Sequence, residues 1–346
     1  MNSNFGEAQT LASALLIGVG VPESVAKRCG WAIASGDIVG RGSHGMLRLP
    51  HYLRRLEAGG INPSAKLETI TDTGAVVAMD GDGGLGHSQA YQAAELASDR
   101  AAVYGIAAVS VRDSSHCGVL GLYTLPMIRR RLIGLAFTNG PAVMPAWNGK
   151  KPILSTSPIA CGIPTAPQPT LIDLATSTVA RGKIAEAAAK GIVIPDGWAL
   201  DADGVPTNDP VQALKGMLSP MAGAKGFALA LMVEALTGGL VGPNLSTEVS
   251  DALSPEAIYT RQGVSHLLIA LNPVAFDPSG DYEKRLNQMA SSVLKSGARL
   301  PGSAHMLPDE TSLDTELAIA DSVAAELATY AEKYSVALPP TWNKIT

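Results

Sequence analysis

At 346 residues the chain is too long for one minimal domain and suits two or three packed units. Hydrophobic residues make up 46% and charged residues only 16%, which supplies a large core and argues against a disordered tail. The formal net charge is −5 with no run of Lys or Arg, so the basic stripe that a nucleic acid or an anionic membrane would require is missing. Residues 1–10 hold polar residues and one acid ahead of any apolar stretch, wrong for a signal peptide, and the longest greasy segment, 227–233, falls far short of a membrane span. Three scattered cysteines, Cys29, Cys117 and Cys161, argue against a disulfide framework. Together these features predict a reduced, cytoplasmic, globular protein.

In chain order, the first sixty residues read as helices. Ala8, Leu11, Ala12 and Leu15 repeat at helical spacing, and Gly18 and Gly20 stop the run. Pro22 with Glu23 opens a second helix carrying Val25, Cys29, Ala32 and Ile33 on one face. A turn over 40–45 leads to a third helix with Leu49, Tyr52, Leu53 and Leu56, ended by Gly59, Gly60 and Pro63. Beyond it, short apolar runs bounded by turn residues predict buried strands at 75–79, 106–111, 133–138, 159–163, 171–174 and 267–271. Helices are predicted over 88–104, 178–190 and 225–236, a surface excursion over the Pro-, Gly- and Asp-rich 195–210, and an Ala/Glu-rich helix over the tail, 309–334. There is neither an internal repeat nor a low-complexity tract. The reading is a helical shell built from both termini around a central sheet.

Residues 81–86, GDGGLG, match the dinucleotide fingerprint G-x-G-x-x-G and stand between a predicted strand and a predicted helix. Two carboxylates, Asp80 and Asp82, would sit beside the pyrophosphate that a helix N-terminus is meant to attract. The next strand ends in Arg112 and Asp113, late for an acid that binds the ribose. A plain tight turn is therefore preferred over a Rossmann loop.

Two of the six histidines stand in contexts that suggest chemistry. His44 lies in RGSHGMLR, 41–48, between a serine and a glycine, and imidazole suits proton exchange with a carbonyl or an alcohol. Arg48 follows four residues later, on the same face if the segment is helical, and a guanidinium can hold a carboxylate at two points. A His and an Arg converging on one pocket are the minimum equipment of a 2-hydroxy-acid dehydrogenase. Alone, the pair reads equally well as a helix-capping His and a surface Arg.

His116 lies in SSHCG, 114–118, a polar loop at a strand's end, where sites of α/β proteins collect their polar groups. It suits a second acid/base or a substrate-orienting donor; Cys117 beside it is a poor nucleophile candidate, because adjacent side chains diverge. His51, His87, His266 and His305 lack comparable support, and no metal-ligand spacing exists, so no metal is expected. Two anion-friendly segments remain. DLATST, 173–178, runs from a strand into a predicted helix whose amides would be free for a phosphate, and AGAKG, 222–226, opens another.

Strung together, these segments resemble the malate/L-lactate dehydrogenase family, whose relatives act on sulfolactate, ureidoglycolate, 2,3-diketogulonate and cyclic imino acids. The resemblance is carried by RGSHGMLRLPHYLRRLEAGGINP (41–63), GDGGLGHSQA (81–90), SSHCG (114–118), TNGPAVMPAWNG (138–149), IDLATSTVARGKI (172–184), IPDGWALDADGVPTNDP (194–210) and AGAKGFALALMVEAL (222–236). Seven ordered blocks are far more specific than any one motif.

The resemblance implies an α/β fold that is not Rossmann, with a largely antiparallel cofactor-binding sheet and an active site completed at a homodimer interface. It implies an NAD- or NADP-dependent oxidoreductase that moves a hydride between the nicotinamide and a small 2-hydroxy or 2-oxo acid. By motif match His44 would be the proton donor and acceptor and Arg48 the carboxylate ligand, with Ser43 and Tyr52 lining the pocket. His116 falls on the histidine with the proton-accepting role in the ureidoglycolate branch, so the division of labour stays open. Cofactor contacts would come from Thr138, Asn139 and Gly140, from 171–177 with Asp173, Leu174, Ala175, Thr176 and Ser177, from Ala224 and Lys225, and from Gly302, Ser303 and Ala304.

The chain also departs from the family pattern. The usual G-T-N-P is Ser155-Thr156-Ser157-Pro158 here, which keeps the Thr that would meet substrate. Ala222-Gly223-Ala224-Lys225 replaces Gly-Gly-His-Lys, and Asn148-Gly149 replaces Gly-Gly. Imine-reducing members carry an Asp where this chain has Lys183, which favours oxo-acid chemistry. A cyclic-imine reductase and a catalytically dead small-acid binding protein are the alternatives, the second disfavoured by the retained histidines. The expected domains are a helical one (1–70 with 300–346), a cofactor-binding sheet (71–175 with 222–299) and a small helical and loop subdomain (176–221).

Overall fold

The computed structural model describes residues 1–251 and 254–342. The apolar runs pair into one seven-stranded sheet. From edge to edge it runs Glu68–Asp72, Val76–Asp80, Ile106–Ser114, Val264–Leu271, Ile133–Thr138, Ile159–Ile163 and Thr170–Leu174. Val76–Asp80 and Ile106–Ser114 are parallel, and every other neighbouring pair is antiparallel. A Rossmann sheet is built from parallel βαβ units, so this topology excludes one.

One face of the sheet is covered by the helix Gly86–Tyr104, which turns Ala90, Ala93, Ala94, Ala97 and Ala101 inward. Alanines let the helix come close to Val109, Val111, Ala136, Ala160 and Leu268, all fully buried. Burial of a side chain such as Leu268 contributes about 1.5–3 kcal/mol.

Register decides where the loops emerge. Asp80 pairs with Arg112, Val111 with His266, His266 with Thr138, Phe137 with Ile159, and Ile159 with Leu174. The loops that follow Asp80, Ser114, Thr138 and Leu174 therefore leave the same end of the sheet.

A helical layer packs beside it. Phe5–Gly18, Glu23–Ile38, Leu49–Ala58 and Asp321–Tyr334 share a core that includes Phe5, Leu11, Leu15, Ile33, Leu53, Leu327 and Trp342. Asn4 and Glu7 close a capping box on the first of these helices. The tail differs from the predicted continuous helix. Glu316–Ala318 is a strand paired with Asn2–Asn4, and the helix begins only at Asp321, because 313–318 bonds through its backbone to residues 2–6 instead of coiling.

A smaller cluster joins Met144, Leu154, Ile184, Ile194, Ala213 and Leu218. Here Ala199–Leu200 pairs with both Pro206–Thr207 and Met217–Leu218, so the predicted surface excursion contains a short hairpin. The helix expected from Thr178 starts at Arg181, because Ser177 bridges to Pro220 and the Thr178 amide donates to Ser219 O, which takes these residues out of the helix. Among the elements that the sequence reading does not predict are the exposed edge strand Glu68–Asp72, the amphipathic helix Tyr282–Lys295 and the short helices Leu125–Arg129 and Pro210–Lys215. No helix among the described residues is long and apolar enough to cross a membrane.

Candidate active site

Between the helices Glu23–Ile38 and Leu49–Ala58 the chain makes two 3-10 turns, Gly42–His44 and Met46–Arg48, broken at Gly45. His44 and Arg48 thus share no continuous helix face, against the expectation from their spacing. The break folds Arg48 back so that its Nε donates to the Ser43 carbonyl at 3.0 Å. The turns are anchored by Asp37, whose Oδ2 accepts the Met46 amide at 2.8 Å. A Cβ on Gly45 would lie 2.2 Å from that carboxylate, so only glycine fits. Burial pushes the Asp37 carboxyl up to about 6. Its contribution was not visible in the sequence.

Across the cleft, the loop after Ser114 brings in His116. The His44 and His116 rings stack with centroids 5.4 Å apart and planes 27° apart. Ser43 Oγ lies 3.0 Å from His44 Nδ1. The Tyr52 hydroxyl is 2.7 Å from His116 Nδ1, and the Gly118 amide donates to the same nitrogen at 3.2 Å. Tyr52 is only 2% exposed and backs His116 through its hydroxyl. The structure also adds His87, 4.8 Å edge-to-face from Tyr52, while His51, next to Tyr52 in the chain, lies 6.0 Å from it ring to ring. Neither has a local signal in the sequence. Among the described residues, no group of three His, Cys, Asp or Glu side chains is arranged to hold a metal ion.

These imidazoles are held neutral. Burial, then Arg48 and Arg41, lowers His44 to about 4; burial and Arg48 lower His51 to about 4. Burial also lowers His87 to about 3 and His266 to about 4, and it depresses His116 together with His44 and Arg48. The unfolded chain therefore takes up protons that the folded chain refuses. The histidine contribution to stability is complete above pH ~6.5 and is lost as pH falls toward about 4 and below. Asp37 acts oppositely, losing its contribution as pH rises from 3.8 to about 6, and offsets part of this. Urea unfolding at pH 7.5 and 5 should show a loss of a few kcal/mol at the lower pH, mostly from His87 and His266. Equal stability at both would contradict the neutral, buried assignment.

The Gly-rich 81–86 is filled by the protein itself. Gly81 N–H donates to Arg112 O, Asp82 N–H to Asp80 Oδ1, Gly83 N–H to Asp113 O, Gly84 N–H to Gly81 O and Gly86 N–H to Ser115 Oγ. No row of amides is left for a pyrophosphate. A Cβ on Gly86 would lie 2.0 Å from Ser115 O and 2.9 Å from His116 O. The glycines thus let the loop buttress the chain that carries His116. Gly83 has φ +65° and faces Arg261, which pairs with Asp82 and Asp113. Gly83→Ala should lower stability by about 1–2 kcal/mol, the strain of a left-handed residue. Coenzyme affinity should change less than about 2-fold; a loss of 10-fold, about 1.4 kcal/mol, without loss of fold would return the loop to the coenzyme.

Of the stretches expected to hold a coenzyme, Thr138 and Leu174 end their strands at the end of the sheet that carries the His116 loop, whereas Leu171, paired with Gly162 and through it level with Gly134, lies toward the other. Leu171 N–H donates to Pro301 O at 3.1 Å, and Gly302, with φ +83°, sits against Leu171. Thr176 donates through both its amide and its hydroxyl to Thr156 O, each at 2.9 Å. Met221 N–H donates to Thr176 O at 2.8 Å, which brings Ala222, Gly223, Ala224 and Lys225 alongside. The amides of Thr176 and Thr178 are therefore occupied, unlike the free helix amides that the sequence suggested. Free donors come instead from the helix Ala224–Glu234, whose first amides have no intrahelical partner and whose N-cap Gly223 supplies no side chain. Asn139 is bonded to Asn244 O and Ser265 N–H, and Thr138 Oγ1 lies 2.9 Å from His266 Nδ1. His266 Nε2 contacts Ser114 Oγ at 3.0 Å, and Ser114 donates to Gln89, which donates to Gly81 O. One buried chain of polar groups thus ties Thr138 to the Gly-rich loop. Gly182 lies against Ser43, placing the exposed Lys183 next to the His44 turn. This donor set, a cationic helix start beside hydroxyl-rich strand ends, fits an anionic dinucleotide.

A family model described as malate/L-lactate dehydrogenase matches residues 4–328. A (2R)-3-sulfolactate dehydrogenase (NADP(+)) of Chromohalobacter salexigens is 38% identical over 328 residues, 94% of this chain and 96% of that protein. The solved sulfolactate dehydrogenase of Methanocaldococcus jannaschii superimposes with a TM-score of 0.87 at 31% identity, covering 98% of each chain. The Δ1-piperideine-2-carboxylate reductase of Pseudomonas syringae gives 0.87 at 30% identity, covering 96% of this chain and 100% of that one.

Proposed function

We propose, for a chain that belongs to the malate/L-lactate dehydrogenase family, that this oxidoreductase interconverts a small 2-oxo acid and its 2-hydroxy acid with NAD or NADP. The observation that carries this reading is the stack of His44 on His116 at 5.4 Å, next to the Arg48 guanidinium. When bound, a reduced nicotinamide supplies the hydride that adds to the substrate's carbonyl carbon. The chain's own residues do the rest. Arg48 has its Nε committed to Ser43, so its terminal Nη pair is the edge that takes the substrate carboxylate. A histidine gives a proton to the carbonyl oxygen as the C=O π pair becomes the new O–H bond, and takes it back in oxidation. Ser43 and Thr156 line the pocket. Thr138, Asn139, Gly140, residues 171–177, Ala224, Lys225 and 302–304 would hold the coenzyme.

Lys183 weighs against the imine chemistry in the name of the Pseudomonas syringae relative. A carboxylate beside Ser43 would favour a protonated imine, and a lysine there opposes one. The reading includes a homodimer. The helix Ala224–Glu234 leaves Leu229, Leu231 and Met232 38%, 49% and 42% exposed, and a second copy covering that face would complete the coenzyme side. A cytoplasmic setting is supported by three unpaired cysteines.

The test is a fluorescence titration with NADH and NADPH, followed by turnover with the 2-oxo counterparts of sulfolactate, malate and lactate. Saturable binding and oxidation of one coenzyme with at least one acid are expected. Turnover of pyrroline-2-carboxylate alone would move the reading to the imine reductases.

A further inference from the structure

We propose that Tyr52 is a positioning residue which, with the Gly118 amide, locks neutral His116 in its Nε2–H form, leaving His44 as the ring that exchanges the proton. The division of roles rests on the 2-oxo acid reading; the lock itself does not.

The geometry decides the tautomer. His116 Nδ1 has two partners, the Gly118 amide at 3.2 Å and the Tyr52 hydroxyl at 2.7 Å. An amide N–H can only donate, so Nδ1 carries no proton and the hydroxyl donates to it as well. The proton of the neutral ring then sits on Nε2. Tyr52 is itself fixed in place, because it is buried and its ring meets that of His87 edge-to-face at 84°. The loop is fixed from the other side, where the His116 amide donates to Gln262 Oε1 at 3.2 Å.

An Nε2–H imidazole gives a hydrogen bond to a substrate oxygen but accepts no proton there. Protonating Nδ1 instead would set N–H against the Gly118 N–H. His116 is thereby a fixed donor that orients and polarises the carbonyl. His44 differs because its Nδ1 faces the Ser43 hydroxyl at 3.0 Å, and a hydroxyl accepts or donates by rotating. Both tautomers and the charged ring are accommodated there. The donating form of His44 is the charged ring, which takes its proton from solvent; once that proton passes to the substrate oxygen the ring is left neutral, with the lone pair on its nitrogen.

The experiment is 15N NMR of the full chain labelled at histidine, with the His116 signals identified by their loss in His116→Gln. At neutral pH the wild type should show a protonated, pyrrole-type Nε2 and a bare, pyridine-type Nδ1; a protonated Nδ1 overturns the lock. Tyr52→Phe keeps the ring and removes the donor. His116 should then titrate at higher pH among its neighbours His44, His87, His51 and Arg48, and kcat should fall about 10-fold or more with coenzyme binding unchanged. An unchanged His116 titration with wild-type kcat refutes the role of Tyr52. The spectrum needs no substrate. A protein with the Nε2–H ring that reduces no 2-oxo acid refutes the function and leaves the lock standing, and turnover with an Nδ1–H ring does the reverse.

Discussion

Replacing His44 by alanine should lower kcat by roughly 10²-fold or more, the usual worth of a positioned general acid/base, while NAD(P)H binding changes less than about 2-fold. His44 is half-buried in a 3-10 turn that is held by Asp37 through the Met46 amide. The turn should therefore survive loss of the ring. No neighbour is free to replace it: His116 has Nδ1 engaged twice, and His87 is fully enclosed. Steady-state kinetics with a 2-oxo acid decide the matter. Activity near that of wild type would transfer proton exchange to His116.

Arg48→Lys should reduce kcat/KM for the 2-oxo acid by about 1.5–3 kcal/mol, roughly 10- to 100-fold, the range of a hydrogen bond to a charged group. In this structure Arg48 does two things at once. Its Nε anchors the guanidinium to the Ser43 carbonyl, and its Nη pair remains for two carboxylate oxygens. Lysine keeps the charge but has neither the anchor nor the fork. The loss should appear mainly in KM if the carboxylate is held equally in ground and transition states, and in kcat if it orients the carbonyl. Wild-type kcat/KM in this variant would make Arg48 a structural residue.

Much of the sheet was legible because its strands are apolar runs bounded by turn residues: 133–138 and 159–163 were read to the residue. Glu68–Asp72 escaped because it is a wholly exposed edge strand, whose ETITD carries no core signal. Tyr282–Lys295 carries its apolar spacing in Leu286, Ala290 and Val293 among charged and polar residues, a weaker signal than the apolar runs of the sheet. Thr178 looked like a helix start because Ser and Thr favour caps, but the long-range bridge from Ser177 to Pro220 overrode that local preference. At the site, His44, Arg48 and His116 carried local signals in their small and polar neighbours. His87 did not, because its nearness to Tyr52 depends on how the Gly-rich loop seats against Ser115 and His116, a contact between residues far apart in sequence; His51 is simply the chain neighbour of Tyr52. Asp37 is likewise an ordinary helical acid until its carboxylate is seen against Gly45 and Met46. Asp80 and Asp82 spoke against a coenzyme at 81–86 through their charge; the structure reaches the same end differently, with the loop amides already used.

The central claim is that a guanidinium grips a carboxylate beside the carbonyl that is reduced. The most direct measurement is kcat/KM for a 2-oxo acid and for the matched ketone in which a methyl group replaces the carboxylate, in wild type and in Arg48→Lys. The wild type should prefer the acid by about 10-fold or more, and the substitution should erase most of that preference while leaving the ketone nearly unaffected. An equal loss for acid and ketone, or no preference in the wild type, would contradict a site built to hold an acid by Arg48 and to protonate it from His44.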